Sequence, residues 1–454
     1  MRKYFGTDGI RRIANTELSP ELVYKVAKAG AYVLSKHTDH APTILIGRDT
    51  RISGSLIESA MVAGFLSYGA NVKILGVMPT PAVAYLTRRF KADASVVISA
   101  SHNTYEFNGV KYFSNKGMKI PDELEEEIEE VMDSGKIDEL TAVNDKIGVS
   151  EIRTDLLEEY VYFFRKNFEE ELERLNRDDF VVAVDTANGA TSVVADKVFT
   201  VLGIKHHIIN DSPNGININE GCGSTHLEML KQYVIDKKCN LGIAYDGDGD
   251  RCLAVDENGN EIDGDKIIAI ISQYLKSKEK LNKDTIVATV MSNLGLNKYA
   301  KQNGLTFVQT KVGDRYVLEE MLKNGYNLGG EQSGHVICLD YNPTGDGILT
   351  SLMIIKAILE QGKKASEVAS IMKAYPQVLI NAKVLSDKKY DFDKDEEIKS
   401  AIEKLNKEFD GNGRVLIRAS GTEPLVRVMI EGEDQEYIKA KAEKLAKLIE
   451  KKLS

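Results

Sequence analysis

Leu241-Gly-Ile-Ala-Tyr-Asp246-Gly-Asp-Gly-Asp-Arg-Cys252-Leu-Ala-Val-Asp256 places two short apolar runs around a loop with an acid at every second position. The runs have strand length and strand composition, not helical periodicity. In an extended segment alternate side chains point the same way, so Asp246, Asp248 and Asp250 converge on one point. Three unpaired carboxylates that close repel one another, and a divalent cation removes the conflict. The glycines let the backbone bend tightly around such an ion. Oxygen-only ligands favour Mg²⁺, Ca²⁺ or Mn²⁺ over zinc. An EF-hand loop is the nearest alternative, and Glu257 even falls at its twelfth position. The sixth position, however, is Arg251 where glycine is required, and the flanks are strands instead of helices. A plain Asp/Gly turn does not call for three aligned acids.

Working outward, the same strand, turn, helix alternation recurs. Thr43-Ile-Leu-Ile-Gly47 reads as a strand, followed by a helix over 55–69. Val72-Lys-Ile-Leu75 and Ala94-Ser-Val-Val-Ile98 continue an α/β domain through about residue 150. A charged linking helix over 156–175 leads to a second α/β unit opening on Phe180-Val-Val-Ala-Val-Asp185. Asn258-Gly259 marks a hairpin turn beyond the acidic loop. A third unit has candidate strands Thr285-Ile-Val-Ala-Thr289, Thr306-Phe-Val-Gln309 and Tyr326-Asn-Leu-Gly329, and closes with a helix over 346–361. The chain changes character near Tyr375-Pro376 and continues as a smaller α+β domain. The expected modules are 1–155, 156–255, 256–373 and 374–454. The acidic stretch 122–131 carries Leu124, Ile128 and Val131 at helical spacing and reads as a solvated amphipathic helix.

Bulk properties narrow the function. With 454 residues, several cores are expected. The net charge of −10 argues against general nucleic-acid binding, so an anionic ligand must be met by local basic groups. No apolar run approaches membrane-spanning length and no signal segment opens the chain. The four cysteines are scattered without metal-type spacing and read as reduced thiols of a cytoplasmic protein.

Further segments carry chemistry. Ser99-Ala-Ser-His-Asn103 directly follows an apolar strand, the usual ligand position in α/β sheets. Ser101 and His102 are adjacent, which does not make a triad, and read alone Ser101 is an ordinary loop serine. Arg418-Ala-Ser-Gly-Thr-Glu-Pro424, with Arg427 after it, combines exposed backbone N–H groups with fixed positive charge and suits a phosphate. Gly329-Gly-Glu-Gln-Ser-Gly-His335 lacks the Gly-Lys-Ser/Thr ending of a P-loop. There Glu331 and Ser333 have the groups to bind sugar hydroxyls, although a plain turn explains the segment equally well. Gly313-Asp314-Arg315 offers another basic contact. Phe5-Gly-Thr-Asp-Gly-Ile-Arg11 places Arg11 after a flexible turn, or on an N-terminal strand as a surface arginine.

Taken together and in this order, these segments resemble the α-D-phosphohexomutase superfamily along essentially the whole chain. Thr310-Lys-Val-Gly-Asp-Arg-Tyr-Val317, Gln332 and Pro79-Thr-Pro-Ala-Val-Ala-Tyr85 are similar to its bacterial branch acting on glucosamine phosphates. The resemblance implies three similar α/β domains plus a smaller C-terminal α+β domain around a central cleft. It implies a phosphoserine at Ser101, and one Mg²⁺ held by Asp246, Asp248, Asp250 and the phosphate on Ser101. It places Arg11, His102, Lys111 and Arg251 in the catalytic group. It gives substrate binding to Gly313, Asp314, Arg315, Glu331, Ser333, Arg418, Ser420, Gly421, Thr422 and Arg427. The implied reaction interconverts glucosamine 6-phosphate and glucosamine 1-phosphate, with a hexosamine or hexose 1,6-bisphosphate as intermediate and activator. The resemblance also allows a homodimer.

Three positions depart from the family wording. Arg12 stands where glycine is common and adds bulk and charge near the cleft. Thr104 and Ala419 replace prolines, which removes a fixed φ and is expected to loosen their loops. None removes a group with a chemical role. The alternatives are the same chemistry on mannose or glucose phosphates, a phosphatase, and a non-enzymatic calcium module. The separate phosphate segment argues against the phosphatase. Ser101 and the segment from Arg418 to Arg427 have no use in a calcium module.

Overall fold

A computed structural model describes residues 3–6, 8–36, 38–420 and 423–454. Thr7 of the first motif, and Gly421 and Thr422 of the phosphate segment, lie outside the described residues. The chain forms two compact units. The first comprises 1–291 with 305–371, and the second 292–304 with 372–454.

The first unit holds three sheets. Strands β1 (Ile10–Ile13), β2 (Thr43–Arg48), β3 (Asn71–Val77), β4 (Ala94–Ile98), β5 (Phe107–Ser114) and β6 (Ser150–Ile152) form a sheet in the order β1-β5-β4-β2-β3-β6. Its β2, β3, β4 and β6 run parallel, whereas β5 is antiparallel to both neighbours. All five residues of β4 are buried, the signature of a strand covered on both faces. The arginine of the first motif sits on β1, with Arg11 opposite Gly109. Helix Pro20–Leu34 begins where Ser19 accepts a bond from the Leu22 amide and Pro20 fills the first turn. The helix expected over 55–69 is Gly54–Tyr68, ended by Gly69 at φ 103°.

Strands β7 (Val181–Asp185), β8 (Lys205–Ile209), β9 (Leu241–Tyr245), β10 (Cys252–Asp256) and β11 (Glu261–Ile262) form the second sheet, in the order β11-β10-β9-β7-β8. The two apolar runs around the acids are thus adjacent antiparallel strands, with Tyr245 opposite Cys252. Strands β12 (Thr285–Thr289), β13 (Thr306–Thr310), β14 (Leu328–Gly330) and β15 (Val336–Cys338) form the third sheet, in the order β13-β12-β14-β15. Helix Gly347–Gln361 follows, capped by the Asp346 carboxylate on the Leu349 amide.

The second unit has strands β16 (Gln377–Lys383), β17 (Gly413–Ala419) and β18 (Leu425–Gly432), in the antiparallel order β16-β18-β17. Helices Glu396–Phe409 and Gln435–Leu453 supply Ile398, Leu405, Leu445 and Ile449 to its core. These strands and helices make the smaller α+β fold expected for the last part of the chain, and the unit also takes in 292–304. The chain is therefore of mixed α/β class, with three α/β sheets and one small C-terminal domain. No helix among the described residues is long and apolar enough to cross a membrane.

One expectation needs correction. The acidic helix, Asp122–Asp133, is amphipathic, but its acids are not all solvated: Glu125 and Glu129 are buried. Glu129 accepts from the backbone amides of Lys3, Tyr4 and Phe5, so this helix ties down the start of the chain. A buried carboxylate accepting several backbone N–H groups is satisfied without solvent.

Candidate active site

Three loops in the first unit leave the carboxyl ends of their strands: Ser99–Asn103 after β4, Asp246–Arg251 after β9, and Glu331–Gly334 after β14. This is where ligands bind in open α/β sheets. The acidic loop is not extended. Gly249, at φ 73°, donates to the Asp246 carbonyl, so a turn rather than strand alternation brings the acids together. The ligand oxygens of Asp246, Asp248 and Asp250 all lie within 4.8 Å of one another, and the three residues are buried.

Ser101 meets this cluster directly. Its hydroxyl donates to Asp246 Oδ2 at 2.6 Å, and Oγ lies 3.3 Å from His102 Nδ1. Ser101 is buried and has φ 52°, a left-handed conformation that costs a non-glycine residue about 1–2 kcal/mol. Lys111 Nζ sits 2.9 Å from Asp248 Oδ2, 3.7 Å from Asp250 Oδ2 and 3.2 Å from Asp8 Oδ2. Thr80 Oγ1 also donates to Asp248 Oδ2, at 2.6 Å. Arg11 donates to Asp8 Oδ2 at 3.0 Å and to Asn103 Oδ1 at 3.2 Å. The Arg251 amide donates to Asp246 Oδ1 at 3.1 Å.

The electrostatics follow from this packing. Burial, then the charges of Asp250 and Asp248, push the Asp246 carboxyl well above the usual carboxylate range. Burial also opposes ionisation of Asp250, but Lys111 and His335 outweigh it and hold that carboxyl below its ordinary range. Burial lowers Lys111, yet Asp248, Asp8 and Asp250 raise it further, so its ammonium stays charged. His102 is pushed down to about 4 by burial and by Arg251 and Arg11, which keeps its imidazole neutral at neutral pH.

The acids fit a hard divalent cation. Asp248 Oδ1 and Asp250 Oδ1 are buried without a hydrogen-bond partner among the described residues, and the donor set is all oxygen.

Around the third loop, Glu331 accepts from the Gly313 amide at 3.2 Å and from Ser333 Oγ at 3.3 Å. Asp314 bridges Lys119 Nζ at 2.7 Å and His335 Nε2 at 3.4 Å. Arg315 turns elsewhere: its guanidinium pairs with Glu125 and Asp122 on the acidic helix. Arg12 donates to the Lys3 carbonyl at 2.8 Å and stacks near the Tyr4 ring.

In the second unit Arg418 and Arg427 are directly opposite on β17 and β18. Like charges facing across strands repel, and burial followed by Arg427 pulls the Arg418 guanidinium down. An anion between them would relieve both effects. The Ser420 amide and hydroxyl bond within this hairpin, to the Leu425 carbonyl and the Glu423 amide.

Sequence reading missed Asp8, Thr80, Lys119, His335, Arg51 and Asn219, all of which touch the residues just described. Asp8, Thr80 and His335 lie inside the quoted motifs, so a signal was present. Lys119, Arg51 and Asn219 had none, because only folding brings them to the site.

The chain matches four family models along its length. These are the phosphoglucomutase/phosphomannomutase alpha/beta/alpha domain I over 2–138, domain II over 158–259, domain III over 263–375, and the C-terminal domain over 379–448. It is 54% identical over 454 residues to a phosphoglucosamine mutase of Ruminiclostridium cellulolyticum, covering 100% of both chains. Among solved structures, it resembles a phosphoglucomutase/phosphomannomutase family protein from Burkholderia thailandensis. There the TM-score is 0.79 and identity 20%, with 98% of this chain and 97% of that one covered. It also resembles an Aspergillus fumigatus N-acetylphosphoglucosamine mutase in complex with GlcNAc-6P and magnesium. That match has a TM-score of 0.72 at 17% identity, covering 100% and 96%.

Proposed function

The chain belongs to the phosphoglucomutase/phosphomannomutase family, and on that premise we infer that it is an isomerase interconverting glucosamine 6-phosphate and glucosamine 1-phosphate. One observation carries the mechanism: the buried Ser101 hydroxyl donates to an acid of the three-carboxylate cluster. Ser101 is the phosphoryl carrier in this reading. Its Oγ–P bond breaks as a sugar hydroxyl oxygen bonds to the same phosphorus. The hydroxyl proton leaves to a base of the site. The resulting 1,6-bisphosphate turns over, Ser101 Oγ bonds to the phosphorus of its other phosphoryl group as that sugar O–P bond breaks, and the base returns its proton to the freed sugar oxygen.

Asp246, Asp248, Asp250 and the Ser101 phosphate would hold Mg²⁺, which offsets negative charge on the transferring group. Lys111 adds a fixed cation at Asp248 and Asp250. Arg11, oriented by Asp8 and Asn103, and Arg251 add positive charge. Neutral His102 enters as an acceptor of hydrogen bonds, since its depressed pKa leaves a ring lone pair free at neutral pH. Glu331 and Ser333 take the sugar hydroxyls, with Gly313 and Asp314 behind them, and Arg315 ties the Gly313–Arg315 segment to Asp122 and Glu125 of the acidic helix. Arg418, Ser420, Gly421, Thr422 and Arg427 take the phosphate that is not transferred, through bidentate and backbone contacts.

The test is ³¹P NMR of purified protein with Mg²⁺ and a trace of hexose 1,6-bisphosphate. Glucosamine, mannose and glucose 6-phosphates are supplied in parallel and initial rates of 1-phosphate formation compared. Fastest conversion of glucosamine 6-phosphate is expected. Faster mannose or glucose conversion would overturn the substrate. Free phosphate without 1-phosphate would overturn the mutase.

A further inference from the structure

The carbonyl oxygens of Ser101 and Asn103 are each held by the same two side chains from distant parts of the sequence. Arg51 Nη2 donates to Ser101 O at 3.0 Å and to Asn103 O at 2.9 Å. Asn219 Nδ2 donates to Ser101 O at 2.9 Å and to Asn103 O at 2.8 Å. A carbonyl has two lone pairs, so both acceptors are saturated. Arg51 also donates to Thr104 O at 2.5 Å, at the position where the family's proline is missing. On the amide side, Ser101 N donates to Ser99 Oγ at 2.9 Å, and Ser99 Oγ donates to Asp49 Oδ2 at 2.6 Å. Asp49 in turn holds Arg51 Nε at 2.9 Å. Asp49, Arg51, Ser99, Ser101 and Asn219 are buried, whereas Asn103 is half-buried and Thr104 exposed.

Asn219 reaches the ring from another part of the unit. Its own amide donates to the Ala187 carbonyl at 2.9 Å, in the turn after β7. Gly247 of the acidic loop packs against both partners, since a Cβ there would lie 2.6 Å from Ser101 O and 2.8 Å from Asn219 Nδ2. The amide therefore sits where the serine loop, the acidic loop and the second sheet meet. Ser101 is held at a positive φ, a conformation that persists only when its surroundings over-determine it.

We propose that Asn219, together with Arg51, is a positioning residue for phosphoryl transfer: the pair clamps the carbonyls of Ser101 and Asn103 and so aims Ser101 Oγ at the carboxylate cluster. This rests on Ser101 being the phosphoryl carrier. Neither residue touches the reacting atoms. Their effect is on the orientation of the nucleophile, to which transfer rates are steeply sensitive. Sugar-phosphate affinity, made elsewhere, is left alone.

The experiment uses the full-length native chain, Asn219→Ala and the near-isosteric Asn219→Asp. Each is loaded with phosphate from glucose 1,6-bisphosphate and quantified by intact mass. Single-turnover transfer to glucosamine 6-phosphate in Mg²⁺ is then followed by rapid quench. Rates are expressed per phosphorylated chain, so misfolded protein does not count. The expected result is a fall of at least about tenfold in transfer rate for both variants, with the KM for glucosamine 6-phosphate within about twofold. Failure to load, with native circular dichroism, has the same meaning. Transfer within about twofold of native in either variant, or a loss confined to KM, would overturn the proposal. A native chain that never acquires phosphate on Ser101 would instead overturn the phosphoserine reading on which it rests.

Discussion

Ser101 and Asp246 are 145 positions apart in the chain, yet the serine hydroxyl donates to the aspartate Oδ2 at 2.6 Å, and both residues are buried. Two loops, from the ends of β4 and β9, meet at this bond. It joins the residue read as nucleophile to the cluster read as metal site.

Ser101→Ala is expected to abolish mutase turnover, by at least about a thousandfold, as removal of a covalent carrier does. The ³¹P assay measures the loss, and intact mass should show no phosphate uptake from a 1,6-bisphosphate. Turnover above one-tenth of native would exclude Ser101 as carrier.

Metal binding should depend on pH with a defined sign. The Asp246 carboxyl is raised in the metal-free chain, first by burial and then by Asp250 and Asp248. The native state therefore holds a proton that the unfolded state releases. Its contribution to stability is complete below the ordinary aspartate range and is lost as pH rises through the raised value. Mg²⁺ takes the proton's place. Calorimetry in buffers of different ionisation heat should show proton release on Mg²⁺ binding, and the Tm gain from Mg²⁺ should grow with pH across that window. A pH-independent gain would remove Asp246 from the ligand set.

Lys111→Met should destabilise the metal-free protein by about 3–5 kcal/mol, because it leaves Asp248 buried without its cation and Asp250 with only His335 and Arg251. Urea unfolding in EDTA reads this. Added Mg²⁺ should restore part of it, and a loss under about 1 kcal/mol would mean that the pair is not coupled.

Gly247→Ala places a methyl 2.6 Å from Ser101 O, a clash with backbone that no rotamer relieves. Overpacking of this kind costs about 1–3 kcal/mol. Denaturation midpoints should fall accordingly, and turnover should fall more than the folded fraction does. Unchanged midpoints would show that the two loops separate freely.

Arg427→Met should raise the KM for sugar phosphate by about 10- to 100-fold with kcat nearly unchanged, the pattern of lost uniform binding. It also relieves the repulsion with Arg418 across β17 and β18, so stability should not drop. A fall in kcat at constant KM would contradict a pure phosphate-binding role.

The sequence by itself determined the order of the modules and the chemistry of the loops. Apolar runs such as Ala94–Ile98 and Leu241–Tyr245 have the length and composition of buried strands, and three acids spaced by glycines must meet a cation or one another. Those signals are local, so they survive in one dimension. Tertiary structure decided the rest. It turned Asp246–Asp250 through a bend where alternation suggested an extended run, and aimed Arg315 at Glu125 and Asp122. It also brought Arg51, Lys119 and Asn219 to the site from segments with no motif. A side chain's partner depends on which strand ends share one edge of a sheet, and that is fixed only when the sheets bury their faces together.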